Sequence, residues 1–206
     1  MIRLDSNRSD RTVGFILLIA SVLSIVAMAH HPSGVRGGYL VHLVHGTMIV
    51  LLSGTFFGFC YYSLRRGLDR PLILAALVAY SLNYFALVIA GTVNGFIVPA
   101  LAAHGQDIPH AFFVFAWESN QAFARLGVAV TAVAFVLWGL DLLRREGGFS
   151  RQIGSYGLVA GAAPLVLLFN DATMDVRTAL IIYGLHAGFA ALVAMRLMQR
   201  KLPESA

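Results

Sequence analysis

Six apolar runs, each close to 20 residues or longer, recur along this 206-residue chain, at about 13–29, 39–64, 71–98, 111–143, 153–169 and 178–198. A helix of about 20 residues crosses a hydrocarbon core about 30 Å thick, so every run is long enough to span a bilayer. At that depth no water satisfies the backbone N–H and C=O groups, and only helices or closed barrels solve the problem. The runs lack the alternation of barrel strands, so they are helical. The expected fold is all-α: a polytopic membrane protein, a compact bundle of about six transmembrane helices, with residues 1–206 forming a single transmembrane helical domain.

Composition agrees. The chain is 58% hydrophobic and only 12% charged, with a mean hydropathy of +0.76, whereas soluble domains run near 25% charged. The formal charge of +5 does not point to nucleic acid, because Lys and Arg sit in short clusters between apolar runs and not on one face. Their placement is a topology signal. Arg3, Arg8 and Arg11 precede the first run, Arg65, Arg66 and Arg70 join the second and third, Arg144, Arg145 and Arg151 join the fourth and fifth, and Arg196, Arg200 and Lys201 lie at and beyond the end of the sixth. The alternate loops hold only Arg36 and Arg177. The positive-inside rule then places both termini and the two arginine-rich loops in the cytoplasm, in a plasma (inner) membrane.

Cys60 is the sole cysteine, which excludes an internal disulfide and a cysteine metal motif. Gly54/Gly58, Gly91/Gly95, Gly157/Gly161 and Gly184/Gly188 are spaced for close helix approach. The basic start, the first apolar run and Ala27-Met28-Ala29 also fit a leader cleaved before His30. Such cleavage would let the new amine and the His30 imidazole chelate copper together.

Polar residues inside apolar runs need a reason, because a charged side chain at the bilayer centre costs about 2.5–3.5 kcal/mol even on the lenient insertion scale. All seven histidines, His30, His31, His42, His45, His104, His110 and His186, lie toward the side opposite the arginine clusters. His42 and His45 are spaced i, i+3 and share a helical face, and His30-His31-Pro32 on the preceding loop can fold over them. Counted along their helices, His45 is about 9 Å and His186 about 12 Å deep, so one site can include both. Imidazole is a ready ligand for zinc, copper or iron, and an axial ligand for haem. In the fourth run Glu118, Gln121 and Arg125 form one polar stripe, with Glu118 near the interface and Arg125 near the level of His45. Glu118 is a candidate metal ligand or proton acceptor, and Arg125 a candidate anion clamp. Tyr80, Asn83, Tyr84 and Asn94 of the third run suit interhelical hydrogen bonds, and Asp171 and Asp175 a solvated turn.

No Gly-x-Ser-x-Gly elbow, P-loop, His-Glu-x-x-His or Glu-x-x-His pair is present. The leading expectation is an outward-facing site of His42, His45, His186 and Glu118, with His30, His31 and Arg125 near it, binding a transition metal ion (copper, zinc or iron) or haem, with His45 and His186 as the haem pair. Redox, metal handling and lipid-phase chemistry stay open, as does whether the chain is an enzyme; no catalytic residue is singled out. The alternatives are a small-solute or proton-coupled transporter, whose path these same side chains line, and a non-catalytic membrane assembly partner. Membrane lipids are the expected surroundings, with a homo-oligomer or a partner membrane subunit as the protein partner.

Overall fold

The computed structural model describes residues 6–31, 38–104, 108–170 and 173–199, and every regular element among them is helical. The helices are α1 (Ser6–Ala29), α2 (Gly38–Arg66), α3 (Pro71–Thr92), α4 (Val98–Ala103), α5 (His110–Arg145), α6 (Gly148–Phe169) and α7 (Val176–Met198), with a π-helical turn at Val93–Ile97 between α3 and α4. Six stretches are long and apolar enough to cross a membrane, α3, the π turn and α4 counting as one. The helices overrun the apolar runs at several ends. Helical backbone bonding continues past the apolar runs into flanking polar residues such as Arg8, Arg65 and Arg145.

The spans form a ring in chain order: each packs on the next, and α7 closes the circle against α1. Small residues set the closest approaches. A Cβ on Gly58 would lie 2.8 Å from Leu17 of α1, and one on Gly161 would lie 2.7 Å from the Ala132 carbonyl of α5. Of the eight glycines spaced for close approach, only Gly184 has open space beside it. The tightest glycine pair is one that no Gly-xxx-Gly spacing announces: a Cβ on Gly139 or Gly154 would meet the other's carbonyl at 2.7–2.8 Å, so α5 and α6 touch backbone to backbone.

Aromatic rings fill the middle of the ring. Phe59 stacks on Trp138 at 4.7 Å between centroids, and Phe135 meets Phe189 at 4.4 Å. The end carrying the arginine clusters is closed by a buried ionic network. Arg66 bridges Asp141 and Glu146. Arg196 donates to Ser150 Oγ at 2.8 Å and to Glu146 at 3.1 Å. Arg145 pairs with Asp141 at 3.2 Å. The network ties α2, α5, α6 and α7 together. Beside it, Asp10 of α1 is buried because Tyr61 donates to it at 2.7 Å and Arg65 at 3.1 Å.

The π turn has a chemical cause. Pro99 has no N–H to give the Gly95 carbonyl four residues earlier, and its ring crowds that carbonyl in a regular α-helix. The wider turn relieves the crowding. The His42 Nδ1–H donates to the Gly95 carbonyl at 2.7 Å instead.

Candidate functional site

At the histidine end, opposite the ionic network, a cavity of about 500 Å³ lies among the helices. On α2 it is faced by Val41, His45, Met48, Ile49 and Leu52, one helical stripe of i, i+4, i+7, i+8 and i+11. On α5 the facing residues are Phe113, Trp117, Asn120, Ala124 and Val128. The third span brings Leu87, Asn94 and Pro99, and the sixth brings Ile182 and Tyr183. Met28 and His31 close one side, Met174 and Asp175 another. The walls are mainly apolar with a few polar groups, and the volume falls within the roughly 300–1,000 Å³ usual for small-molecule sites.

Two imidazoles meet at the wall of this cavity. His31 Nε2 and His45 Nε2 are 3.1 Å apart, with the rings set edge to face. His45 Nδ1 lies 2.9 Å from the Val41 carbonyl. A carbonyl only accepts, so Nδ1 carries the proton; in the neutral form of the ring this leaves the Nε2 lone pair facing His31. His45 is held there by close packing: Gly95 has its α-carbon against the His45 side chain, where a Cβ would collide with the His45 Cβ.

The other histidines go elsewhere. His42, three residues from His45, is exposed, bonds the Gly95 carbonyl and stacks on Phe96 at 5.4 Å. The i, i+3 pair is therefore divided between the cavity and the outer surface of the bundle. His186 Nε2 lies 2.7 Å from the Tyr80 hydroxyl, and its ring packs edge-on against Phe135 at 5.0 Å. It belongs to the aromatic core and does not line the cavity. Helix counting explains the separation: α7 begins at Val176, which puts His186 about 15 Å along its helix against about 10 Å for His45. His30 and His104 are exposed and donate Nδ1–H to Val26 and Ala100 carbonyls, both at 2.8 Å. His110 is exposed at the start of α5.

The polar stripe of α5 also misses the cavity. At 100° per residue, Glu118, Gln121 and Arg125 centre about 90° around the helix from the stripe that runs from Phe113 to Val128. Glu118 is exposed, and among the described residues neither it nor Arg125 joins an ion pair. Gln121 is buried and accepts the Met174 N–H at 3.0 Å, pinning the approach to α7. Asp175 caps α7: its Oδ1 accepts the Thr178 N–H at 2.8 Å, and that bond holds its carboxyl below the usual carboxylate range.

Among the described residues no three His, Cys, Asp or Glu side chains converge closely enough to hold a metal ion. Of the expected ligand set, His31 and His45 come together, and His30, His42, His186 and Glu118 do not join them. Asn120, Met28 and Met48 also line the cavity, beyond the candidate residues that the sequence offers. For Asn120 the signal was its place in the polar string beside Trp117. The methionines gave none, because lipid-facing and cavity-facing positions are both apolar in a membrane helix. Comparison with protein-family models, curated proteins and solved structures finds no match to this chain.

Proposed function

We propose that this integral membrane protein binds a transition-metal ion at the wall of its intramembrane cavity, with His31 and His45 as the nitrogen ligands. The observation that carries the reading is the 3.1 Å separation of the two Nε2 atoms. Two imidazole nitrogens bound to one metal at about 2.0–2.1 Å, at angles between 90° and tetrahedral, lie about 2.8–3.4 Å apart. The Val41 carbonyl does for His45 what outer partners commonly do for metal-bound histidines: it fixes the tautomer and aims the lone pair. Metal displaces the proton that His31 Nε2 shares with His45 in the metal-free pair.

By the positive-inside rule the arginine end faces the cytoplasm and the cavity lies toward the opposite face of a plasma membrane. The cavity lining runs from the histidine end only to about the middle of the spans, at Leu52, Leu87 and Val128, and the Arg66 network closes the other end. A continuous solute path finds no support in that arrangement. A haem held between His45 and His186 finds none either, since His186 bonds Tyr80 within the aromatic core.

The test is metal content of detergent-purified protein after equilibration with a mixture of zinc, copper and iron salts. Wild type retains roughly one ion per chain, His31→Ala and His45→Ala lose it, and His42→Ala keeps it. Absence of metal from the wild type, or equal loss in all three variants, overturns the reading.

A second reading is favoured by volume. A cavity of about 500 Å³ exceeds what an ion needs. Its apolar walls suit a small lipid-phase molecule whose polar end accepts or donates at the histidine pair, Asn94 or Asn120. Native mass spectrometry of the protein extracted from its own membrane distinguishes this: a bound organic mass that survives the loss of metal supports it.

A further inference from the structure

Resting on the metal reading above, we infer that the site is a soft one, selective for a monovalent copper-class ion over zinc, with the thioethers of Met28 and Met48 joining His31 and His45. Both methionines line the same cavity as the two histidines. Met48 follows His45 by three residues on the cavity-facing stripe of α2. Met28 is fixed to His31 through the chain, its carbonyl accepting the His31 N–H at 3.1 Å, and it is 6% exposed. The four side chains thus come from two short stretches at the facing ends of α1 and α2.

Two physical arguments select the ion. Thioether sulfur is a soft donor that favours Cu(I), whereas zinc in proteins takes thiolate, imidazole or carboxylate. No third His, Cys, Asp or Glu converges on the pair among the described residues, so a hard or borderline ion lacks its usual ligands. Charge points the same way. Two neutral imidazoles and two thioethers supply no negative charge, and the carboxylate on the cavity lining, Asp175, is engaged as the cap of α7 through the Thr178 N–H. The cost of bringing an ion into an apolar cavity grows as the square of its charge. A monovalent ion therefore costs about a quarter as much as a divalent one of equal radius.

The experiment uses the full chain in detergent under reducing conditions, titrated with Cu(I) against a chromogenic Cu(I) chelator and, separately, with Zn(II). Met28→Leu/Met48→Leu is the informative variant, because Leu and Met exchange with little loss of packing. Loss of even an outer partner of a metal ligand costs about 10–100-fold in affinity, so losing two direct ligands should weaken Cu(I) binding by more than about tenfold. Zinc binding should be unchanged. X-ray absorption of the Cu(I)-loaded wild type should show sulfur neighbours that the double variant lacks. Cu(I) binding that is indifferent to the methionines, with nitrogen neighbours alone, overturns the soft site while leaving the histidine pair intact. Failure of the wild type to bind either ion overturns both.

Discussion

His31 and His45 stand with Nε2 facing Nε2 across 3.1 Å, ring centroids 4.7 Å apart and planes at 70°. The contact joins the end of the first span to the second, across a stretch of only 14 residues. It brings two imidazole nitrogens to one point on the cavity wall, and the packing around it makes that point rigid.

Gly95 is one source of the rigidity. Gly95→Ala places a methyl into the His45 side chain and should destabilise the fold by about 1–3 kcal/mol, the usual range for overpacking. Gly184→Ala is the matched control, with nothing within 4 Å of the added methyl. It should be neutral or stabilising by up to about 1 kcal/mol, since alanine is the better helix former. Thermal unfolding in detergent compares the two; equal effects contradict the packing described.

The ionic network makes a second prediction. Arg66 is 3% exposed and Asp141 is 1% exposed. Removing one member of a buried pair leaves the other uncompensated, so Arg66→Met or Asp141→Leu should each cost about 3–5 kcal/mol. The double variant should cost at least about 1 kcal/mol less than the sum of the two singles. A double-mutant cycle on unfolding free energies measures this, and strict additivity would remove the direct coupling.

Asp175 gives a pH dependence of known sign. The Thr178 N–H lowers the carboxyl's folded pKa below its unfolded value. Its stabilisation is therefore complete above the ordinary carboxylate range and lost as pH falls through the depressed folded value. Asp175→Asn keeps a capping oxygen but cannot titrate, so its acid-side loss of melting temperature should be smaller than that of the wild type. Superimposable profiles for the two proteins contradict the assignment.

Much of the fold was legible because the bilayer imposes length and continuity: the six apolar runs and the arginine clusters between them located the spans to within several residues. His31 and His45 were legible as polar groups in or beside hydrocarbon. The grouping around them was not, because side-chain direction depends on tertiary contacts. His42 and His45 share a helical face, yet Pro99 strips the Gly95 carbonyl of its helical donor and draws His42 away from the cavity. Glu118, Gln121 and Arg125 make the most conspicuous stripe of α5, but the cavity takes the adjacent face through Trp117 and Asn120. Gly139 and Gly154 have no spacing motif, since the contact is between two different helices and each supplies one glycine.

The central claim, that His31 and His45 bind one metal, is tested most directly by counting coordinated imidazoles. Pulsed electron paramagnetic resonance of the protein loaded with Cu(II) as a spectroscopic probe should detect two ring-nitrogen couplings in the wild type. His31→Ala should show one and His42→Ala should keep both. A wild-type signal with no imidazole coupling, or a His31→Ala spectrum identical to that of the wild type, would contradict it.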